Sequence, residues 1–124
     1  MTMVKANQHS KDFFLSLVPD DPRVATRPMF GNLAAFVNGN MFFCLLGDSV
    51  AVRLSESERE TLLEEDGAAQ FEPISGRPMR EYVTIPDEWR DELPRMEEWI
   101  HRSLTWAAMM PEKKPKPRKR AKNV

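Results

Sequence analysis

Arginine is the residue type in this sequence whose placement points most clearly to chemistry. Four arginines are expected at or beside the ends of strands, namely Arg27, Arg53, Arg77 and Arg80. A guanidinium group donates hydrogen bonds in a planar fork that fits a carboxylate or a phosphate. If the four lie together at one rim of a sheet, they form a site for an anion or an acidic partner. The alternative is that each pairs with a local carboxylate, such as Glu72 or Glu81, and holds a turn in place.

Catalytic and metal chemistry find little support in the residue types. The two histidines, His9 and His101, lie near opposite ends of the chain, and the single cysteine, Cys44, lies within an apolar run. A thiol buried in such a run, without a cationic neighbour to lower its pKa, is inert. One cysteine also excludes an intrachain disulfide and a four-thiolate metal site. Because Walker, GxGxxG and HExxH motifs are absent too, we predict a protein that is not an enzyme and holds no cofactor or metal.

The C-terminal segment has the opposite charge to the rest of the chain. From Pro111 onward there is one acid, Glu112, against seven cations: Lys113, Lys114, Lys116, Arg118, Lys119, Arg120 and Lys122. This segment carries +6, and since the whole chain has 18 basic and 19 acidic residues, residues 1–110 carry −7. A cationic tail suits the phosphate backbone of nucleic acid without reading its sequence. A tail that only aids solubility would have the same composition.

Length and composition define one domain and this tail. The chain has 124 residues, of which 41% are hydrophobic, and this suffices for one core without disulfides. We predict a folded domain at residues 1–110 and a disordered basic tail at residues 111–124, because prolines and alternating cations cannot bury apolar surface. No apolar run approaches the ~20 residues that span a bilayer, and the N-terminus lacks a signal-peptide core. A cytoplasmic protein with no membrane partner is therefore expected.

The elements that must position the arginines begin with a helix and a meander. Helical spacing of apolar residues predicts a first helix from about Ser10 to Val18. A single strand is predicted over residues 27–37, followed by a tight turn at Asn38-Gly39, because that dipeptide tolerates positive φ at both positions. The return strand, residues 41–46, is apolar on both faces and is expected to be central. A third strand, residues 49–54, completes the meander.

The second half of the domain is predicted to alternate helix, strands and helix. Ser55 and Glu58 form a capping box that opens a helix ending near Gly67. Two strands are predicted around residues 70–74 and 79–85. The last helix runs from Pro94 to about Met110, with an apolar stripe of Met96, Trp99, Ile100, Ser103, Trp106, Ala107 and Met110. Trp89 lies outside that stripe, so we predict that it is exposed and belongs to a contact surface.

Four segments of this sequence share their pattern with a known family. Arg27-Pro28-Met29-Phe30-Gly31 is the first, and residues 36–42, 52–56 and 76–82 follow it in order. Together with the last helix, which carries Trp99 and is followed by Pro111, they resemble the N-terminal domain of the TfoX/Sxy family of bacterial competence regulators. The resemblance runs from about Phe13 to Pro111, nearly the whole predicted domain.

The resemblance implies a fold and a role. The fold is a two-layer α+β domain, with one antiparallel sheet of about five strands backed by helices in a topology akin to type III secretion chaperones. The role is transcriptional regulation of DNA uptake in the bacterial cytoplasm, alongside a cyclic-AMP receptor protein. Longer members carry a second, helical domain of the helix-hairpin-helix kind, where this chain has its basic tail. The family supplies no catalytic residues.

These observations predict a non-enzymatic regulatory or adaptor module. Its body is expected to contact a protein, or a second copy of itself through the sheet or the Trp99 helix, while the tail gives non-specific affinity for nucleic acid. A different class of function is also open, in which Arg53, Arg77 and Arg80 bind a small anion. A third is a chaperone-like interaction domain whose tail contacts nothing.

Overall fold

Six strands and three α-helices follow one another along residues 4–113, the part of the chain that the computed structural model describes. In chain order they are α1 (Gln8–Leu17), β1 (Val24–Met29), β2 (Asn32–Val37), β3 (Asn40–Leu46), β4 (Ser49–Arg53), α2 (Glu56–Leu63), β5 (Ala69–Gln70), β6 (Tyr82–Thr84) and α3 (Leu93–Ala108), with a 3₁₀ turn, Asp87–Asp91, before α3. The strands form one antiparallel sheet in the order β1-β2-β3-β4-β6-β5. The predicted two-layer α+β class is confirmed, with six strands where about five were expected.

The additional strand arises where a single strand over residues 27–37 was predicted, and that prediction is wrong. The chain reverses at Phe30-Gly31, so that β1 and β2 pair as a hairpin from Val24 opposite Val37 to Met29 opposite Asn32. Both turn residues have positive φ, 51° and 80°, as two-residue hairpin turns of type I′ require. A phenylalanine at positive φ is uncommon, so the apolar pattern gave no sign of the turn. Phe30 is 73% exposed at its tip.

The centre of the meander is as predicted, with one irregularity. Asn38 and Gly39 turn with φ of 53° and 77°, and β3 is the third strand of six and buried on both faces. The pairing of β2 with β3 shifts between Ala35 and Phe36. Phe42 is the extra residue of this bulge, so that it and its neighbour Phe43 both face the main core. Met41, the residue before the bulge, faces the opposite side of the sheet.

Helices α1 and α3 cover the face to which Phe42 and Phe43 point. Phe14 of α1 stacks on Phe43 with ring centroids 4.5 Å apart. The predicted stripe of α3 is largely confirmed, with buried Met96, Trp99, Ile100, Ser103, Leu104 and Ala107. Trp106 and Met110 are only half-buried, and Leu104, which the stripe omitted, takes part in the core. Pro94 lies in the first turn of α3, where its missing N–H costs nothing.

Trp89 is part of the same core, so the prediction that it is an exposed contact residue is wrong. It is 4% exposed and lies in the 3₁₀ turn that leads from the sheet to α3. The guanidinium carbon of Arg95 sits 3.9 Å from the centroid of the indole ring and covers it. A 3₁₀ turn has its own periodicity, so the helical stripe of α3 did not predict which way this side chain would point.

The predicted strands in the second half are shorter than expected. Residues 70–74 and 79–85 contribute only β5 and β6 to the sheet, and an isolated bridge pairs Ile74 with Arg77. Proline cannot donate to a strand ladder, and Pro73 and Pro78 lie in the segment that remains a loop. Ser55 caps α2 as predicted, since its Oγ accepts from the Glu58 N–H at 3.4 Å, while the Glu58 carboxylate contacts the Ser55 hydroxyl at 3.5 Å and not the Ser55 N–H that a capping box would use.

The opposite face of the sheet carries a smaller cluster, built from Ala34, Cys44, Ala51, Phe71 and Tyr82. Burial raises the pKa of the Cys44 thiol to about 12, in agreement with the predicted inert core cysteine. The loop before β6 covers part of this face and leaves the remainder open. Within residues 4–113, no helix combines the length and the apolar character needed to cross a membrane.

Candidate anion-binding cleft

A cleft of about 630 Å³ opens on this second face, between the β2–β3 turn and the loop that precedes β6. Three cationic residues line it: Arg53, Arg80 and Lys113. Phe36, Met41 and Tyr82 line it with apolar and aromatic surface, and Glu81 is its one acid. We call this site the sheet cleft.

Arg53 reaches the sheet cleft because of the alternation along β4. Val50 and Val52 face the helices, so the side chain of Arg53 points to the other face, directly across from Tyr82 on β6. Its Nε donates to the Glu81 carboxylate at 2.9 Å, and one terminal nitrogen lies 3.4 Å from the Met41 carbonyl oxygen. With a side chain only 21% exposed, Arg53 is held in one orientation.

Tyr82 forms the floor beside Arg53. Its hydroxyl donates to the Met41 carbonyl at 3.0 Å, the same oxygen that the Arg53 guanidinium approaches. Burial raises the pKa of the Tyr82 phenol well above its ordinary value, so it remains a neutral donor. The Met41 carbonyl is thus a shared acceptor that fixes the geometry of both side chains.

Ser103 of α3 supports this arrangement from the other side of the sheet. Its buried hydroxyl accepts from the backbone N–H of Arg53 at 3.2 Å and donates to the carbonyl of Phe42. The pairing of β3 with β4 ends at Phe43 and Val52, so these two backbone groups lie beyond the ladder. The helix hydroxyl satisfies both of them. Ser103 was predicted only as a member of the core stripe, and this role was not foreseen from its residue type.

The β2–β3 turn holds the chain that follows α3 at the rim of the sheet cleft. We call residues 109–113 the strap. The amide of Asn38 donates to the carbonyl of Ala108 at 3.2 Å, and that of Asn40 donates to the carbonyl of Pro111 at 3.1 Å. The N–H of Lys113 donates to the carbonyl of Asn38 at 2.8 Å. Between the two asparagines, Gly39 has no Cβ, and any Cβ there would overlap the Lys113 carbonyl.

The four predicted arginines are only partly brought together. Arg53 and Arg80 line the sheet cleft, while the guanidinium of Arg27 lies 5.0 Å from the ring centroid of Phe36, a cleft-lining residue on β2. Arg77 is apart from them, in the turn where its N–H donates to the Ile74 carbonyl at 2.8 Å. The sequence pattern could not foresee this grouping, because it depends on strand order and on the bulge in β3.

The alternative interpretation, local pairing, holds for one arginine. Arg53 pairs with Glu81, as that interpretation predicted. Glu72 clamps its turn through the N–H of Gly76 and not through an arginine. Within residues 4–113 neither Arg80 nor Arg77 forms an ion pair, and both are exposed. Arg80 is therefore available to a ligand in the sheet cleft.

Of the seven cations predicted to bind nucleic acid, one lies within the described residues. Lys113 lines the sheet cleft. The other predicted tail cations lie outside the described residues: Lys114, Lys116, Arg118, Lys119, Arg120 and Lys122.

A second cleft, of about 550 Å³, lies between α2 and α3, and its one arginine is already paired. Arg102 contacts the Glu58 carboxylate at 3.5 Å and the Glu98 carboxylate at 2.6 Å. Its guanidinium also lies 4.4 Å from the ring centroid of Trp99. In the described part of the chain, no group of three or more His, Cys, Asp or Glu side chains is arranged to hold a metal.

Comparison with known proteins agrees with the resemblance. No curated protein matches the sequence. The family model for the TfoX N-terminal domain matches residues 16–107, a range that includes all six strands and nearly all of α3. Since this match covers well over half of the 124 residues, the chain belongs to the TfoX N-terminal domain family.

Proposed function

We propose that this chain is a non-enzymatic regulatory or adaptor domain, whose body contacts a protein partner and whose cationic C-terminal end contacts nucleic acid. Membership of the TfoX N-terminal domain family supports the regulatory or adaptor role in a coarse sense. The observation that carries the finer proposal is the sheet cleft, where Arg53, Arg80 and Lys113 meet on a body whose first 110 residues carry −7. In its most specific form, the proposal is that this domain takes part in the regulation of transcription, and of competence in particular.

The chemistry of the buried side chains supports a role without catalysis. Covalent catalysis by cysteine needs a thiolate, and burial raises the Cys44 pKa to about 12. Tyr82 is held protonated as a donor to the Met41 carbonyl. Cys44 is thus a core residue, and Tyr82 is a framework residue of the sheet cleft.

The protein-binding part of the proposal concerns the body. The sheet ends at β1, a six-residue edge strand whose middle residues are exposed, and the tip of its hairpin presents Phe30. An open edge and an exposed aromatic residue are features that protein partners use, whether the partner is another protein or a second copy. Light scattering on the purified chain tests self-association. A lone monomer that also fails to bind candidate regulators would refute this part.

The nucleic-acid part is tested by fluorescence anisotropy with a short labelled duplex. The full chain is compared with a chain ending at Met110 across salt concentrations from about 50 to about 200 mM. Seven cations predict a slope of log K on log salt of up to roughly −6, and the shortened chain is expected to lose the binding. If neither chain binds the duplex, the nucleic-acid role is refuted.

The sheet cleft also favours a second candidate function, the binding of a small anion. Arg53 and Arg80 are two guanidinium groups in one cleft, next to an aromatic floor, and such groups bind phosphorylated small molecules. A thermal-shift screen with phosphorylated metabolites tests this, since a ligand at a hundredfold over its Kd stabilises by about 2.7 kcal/mol. Unchanged melting across the screen would rule the small-anion function out.

A further inference from the structure

We infer that the sheet cleft is a binding site for phosphate monoesters, in which Arg80 and Lys113 neutralise the phosphate group and Glu81 limits its affinity. The inference rests on the second candidate function, in that it assumes that a small anion binds in the cleft. It deepens that function by naming the charge and the chemical class of the anion, and by giving the one acid of the lining a role. Every residue on which it depends lies within residues 4–113.

The charges of the lining match a dianion. Arg53, Arg80 and Lys113 are opposed by one acid, Glu81. The Arg53 Nε donates to the Glu81 carboxylate at 2.9 Å, so these two charges offset each other. Within residues 4–113, neither Arg80 nor Lys113 forms an ion pair, and both are exposed. Two unpaired cations correspond to the charge of about −2 that a phosphate monoester carries near neutral pH, whereas a carboxylate or a sulfate ester carries a single charge.

Both unpaired cations extend from backbone that hydrogen bonds hold in place. Arg80 lies in a turn that the N–H of Tyr82 closes by donating to the Met79 carbonyl at 3.0 Å. On the other side of the cleft, the N–H of Lys113 donates to the Asn38 carbonyl of the β2–β3 turn at 2.8 Å. Because the two walls are fixed before a ligand arrives, binding has to order only the ends of the two side chains.

Arg53 adds a donor whose orientation is already set. Its Nε is bound to Glu81, and one terminal nitrogen lies 3.4 Å from the Met41 carbonyl oxygen. Within residues 4–113, its second terminal nitrogen donates to no protein group. That nitrogen is free to donate to a phosphate oxygen, and a hydrogen bond between two charged groups is stronger than one between neutral groups.

The apolar part of the lining favours an ester over inorganic phosphate. Phe36, Met41 and Met79 line the cleft together with the cations. Its volume of about 630 Å³ lies within the range of small-molecule sites, which combine apolar surface with a few placed polar groups. Methionine side chains adapt to apolar groups of different shape. We therefore expect the organic group of the ester to contact these residues.

Glu81 is the part of the site that opposes the ligand. Its side chain is 51% exposed, and its negative charge repels a dianion while its oxygen orients Arg53. Glu81→Gln removes the charge and keeps an oxygen that accepts from the Arg53 Nε. We expect this variant to bind a phosphate monoester about fivefold more tightly than the wild type, the upper range for a partly exposed charge pair.

The test is isothermal titration calorimetry of the full chain with phenyl phosphate at about 0.1 M salt. Arg80→Ala removes one of the two unpaired cations and should weaken binding about tenfold, since hydrogen bonds to charged groups are strong. Arg80→Lys keeps the charge but not the planar fork of donors, so it should weaken binding less, by about threefold. Circular dichroism confirms that the variants remain folded.

Asp48→Asn is the matched control for Glu81→Gln. It also removes one negative charge, from the exposed turn between β3 and β4. This turn and the sheet cleft lie at opposite ends of β3, whose seven residues span about 20 Å. That distance exceeds the screening length of about 10 Å at 0.1 M salt, so the control should bind phenyl phosphate as the wild type does.

The outcomes separate this inference from the function on which it rests. If neither phenyl phosphate nor any other phosphorylated compound binds, the small-anion function and the inference both fail. If phenyl phosphate binds, but phenyl sulfate and benzoate bind as tightly, the cleft does not select a dianion. If inorganic phosphate binds as tightly, the cleft does not select an ester. Either result, or a Glu81→Gln variant that binds no more tightly than the wild type, overturns the inference while the small-anion function stands.

Discussion

The face of the sheet under α1 and α3 is closed by large side chains such as Phe14, Phe42 and Phe43, whereas the opposite face holds Ala34, Cys44 and Ala51 beneath a loop. Both faces are built from the same strands by alternation, which the bulge in β3 interrupts at Phe42 and Phe43. The small side chains of the second face allow the loop before β6 to lie close, and that loop brings Arg80 to Arg53. One face thus supplies the stability of the domain, and the other supplies a polar site.

The bulge in β3 influences both faces of the sheet. The extra residue, Phe42, points to the core together with Phe43, and it turns Met41 toward the sheet cleft. Ser103 of α3 then bonds the Phe42 carbonyl and the Arg53 N–H. A single irregularity therefore positions both the Met41 carbonyl, which orients Arg53 and Tyr82, and the backbone of Arg53 itself.

The largest expected effect breaks the helix-covered face. Phe43→Ala removes a fully buried ring that stacks on Phe14 and should lower the free energy of unfolding by about 3 to 5 kcal/mol. Cys44→Ala, at the next position of β3 but on the cleft face, deletes only a small side chain and should cost about 1 kcal/mol. Urea unfolding measures both. Equal losses would contradict the division of the sheet into a core face and a site face.

The next effect concerns the link between the faces. Ser103→Ala leaves the Phe42 carbonyl and the Arg53 N–H without their partner, and an unsatisfied buried pair should cost about 1 to 3 kcal/mol. The control is Thr105→Ala, two residues on and exposed on α3, which should stay within about 0.5 kcal/mol of the wild type. Chemical denaturation of the two variants measures both free energies of unfolding. Equal values would show that the Ser103 hydrogen bonds contribute nothing to stability.

The pH dependence of stability tests whether Cys44, on the cleft face of the sheet, is buried. Burial raises the pKa of Cys44 from 9.0 to about 12, so above pH 9.0 the unfolded chain loses a proton that the folded chain keeps. Unfolding then becomes easier as pH rises, by about 1.4 kcal/mol per pH unit between the two pKa values. Urea unfolding of the wild type at increasing alkaline pH should follow this slope. Cys44→Ala should lack that component, and an identical pH dependence in both would contradict the buried thiol.

The smallest effect on stability is expected at the site itself. Arg80→Ala should change the free energy of unfolding by no more than about 0.5 kcal/mol, because the side chain is exposed and forms no ion pair within residues 4–113. The same variant is expected to weaken the binding of phenyl phosphate. A large loss of stability would mean that Arg80 belongs to the framework of the domain and not to a binding surface.

Sequence patterns predicted local structure better than long-range geometry. The predictions for Asn38-Gly39, the Ser55 cap, Pro94 and most of the stripe of α3 were correct, since each depends on neighbours in the chain. The Phe30-Gly31 turn was missed because an aromatic residue rarely adopts positive φ. Trp89 was misassigned because a 3₁₀ turn breaks the helical period.

The candidate site was predicted by residue type and not by position. Arg53 and Arg80, two of the four arginines expected at strand ends, line one cleft, but their meeting depends on β6 lying next to β4. The strap was not foreseen, because its hydrogen bonds join residues about 70 positions apart in sequence. The one sign of these hydrogen bonds in the sequence was the pair of asparagines, Asn38 and Asn40, on either side of Gly39.

The most direct test of the central claim is to record amide ¹H–¹⁵N NMR spectra of the full chain while phenyl phosphate is added. If the sheet cleft binds the phosphate group, amide signals of Asn40, Arg53 and Tyr82 will shift, and amides of α1 will not. Added salt should reverse the shifts. Cleft amides that stay unmoved, or shifts of equal size in α1, would contradict the account.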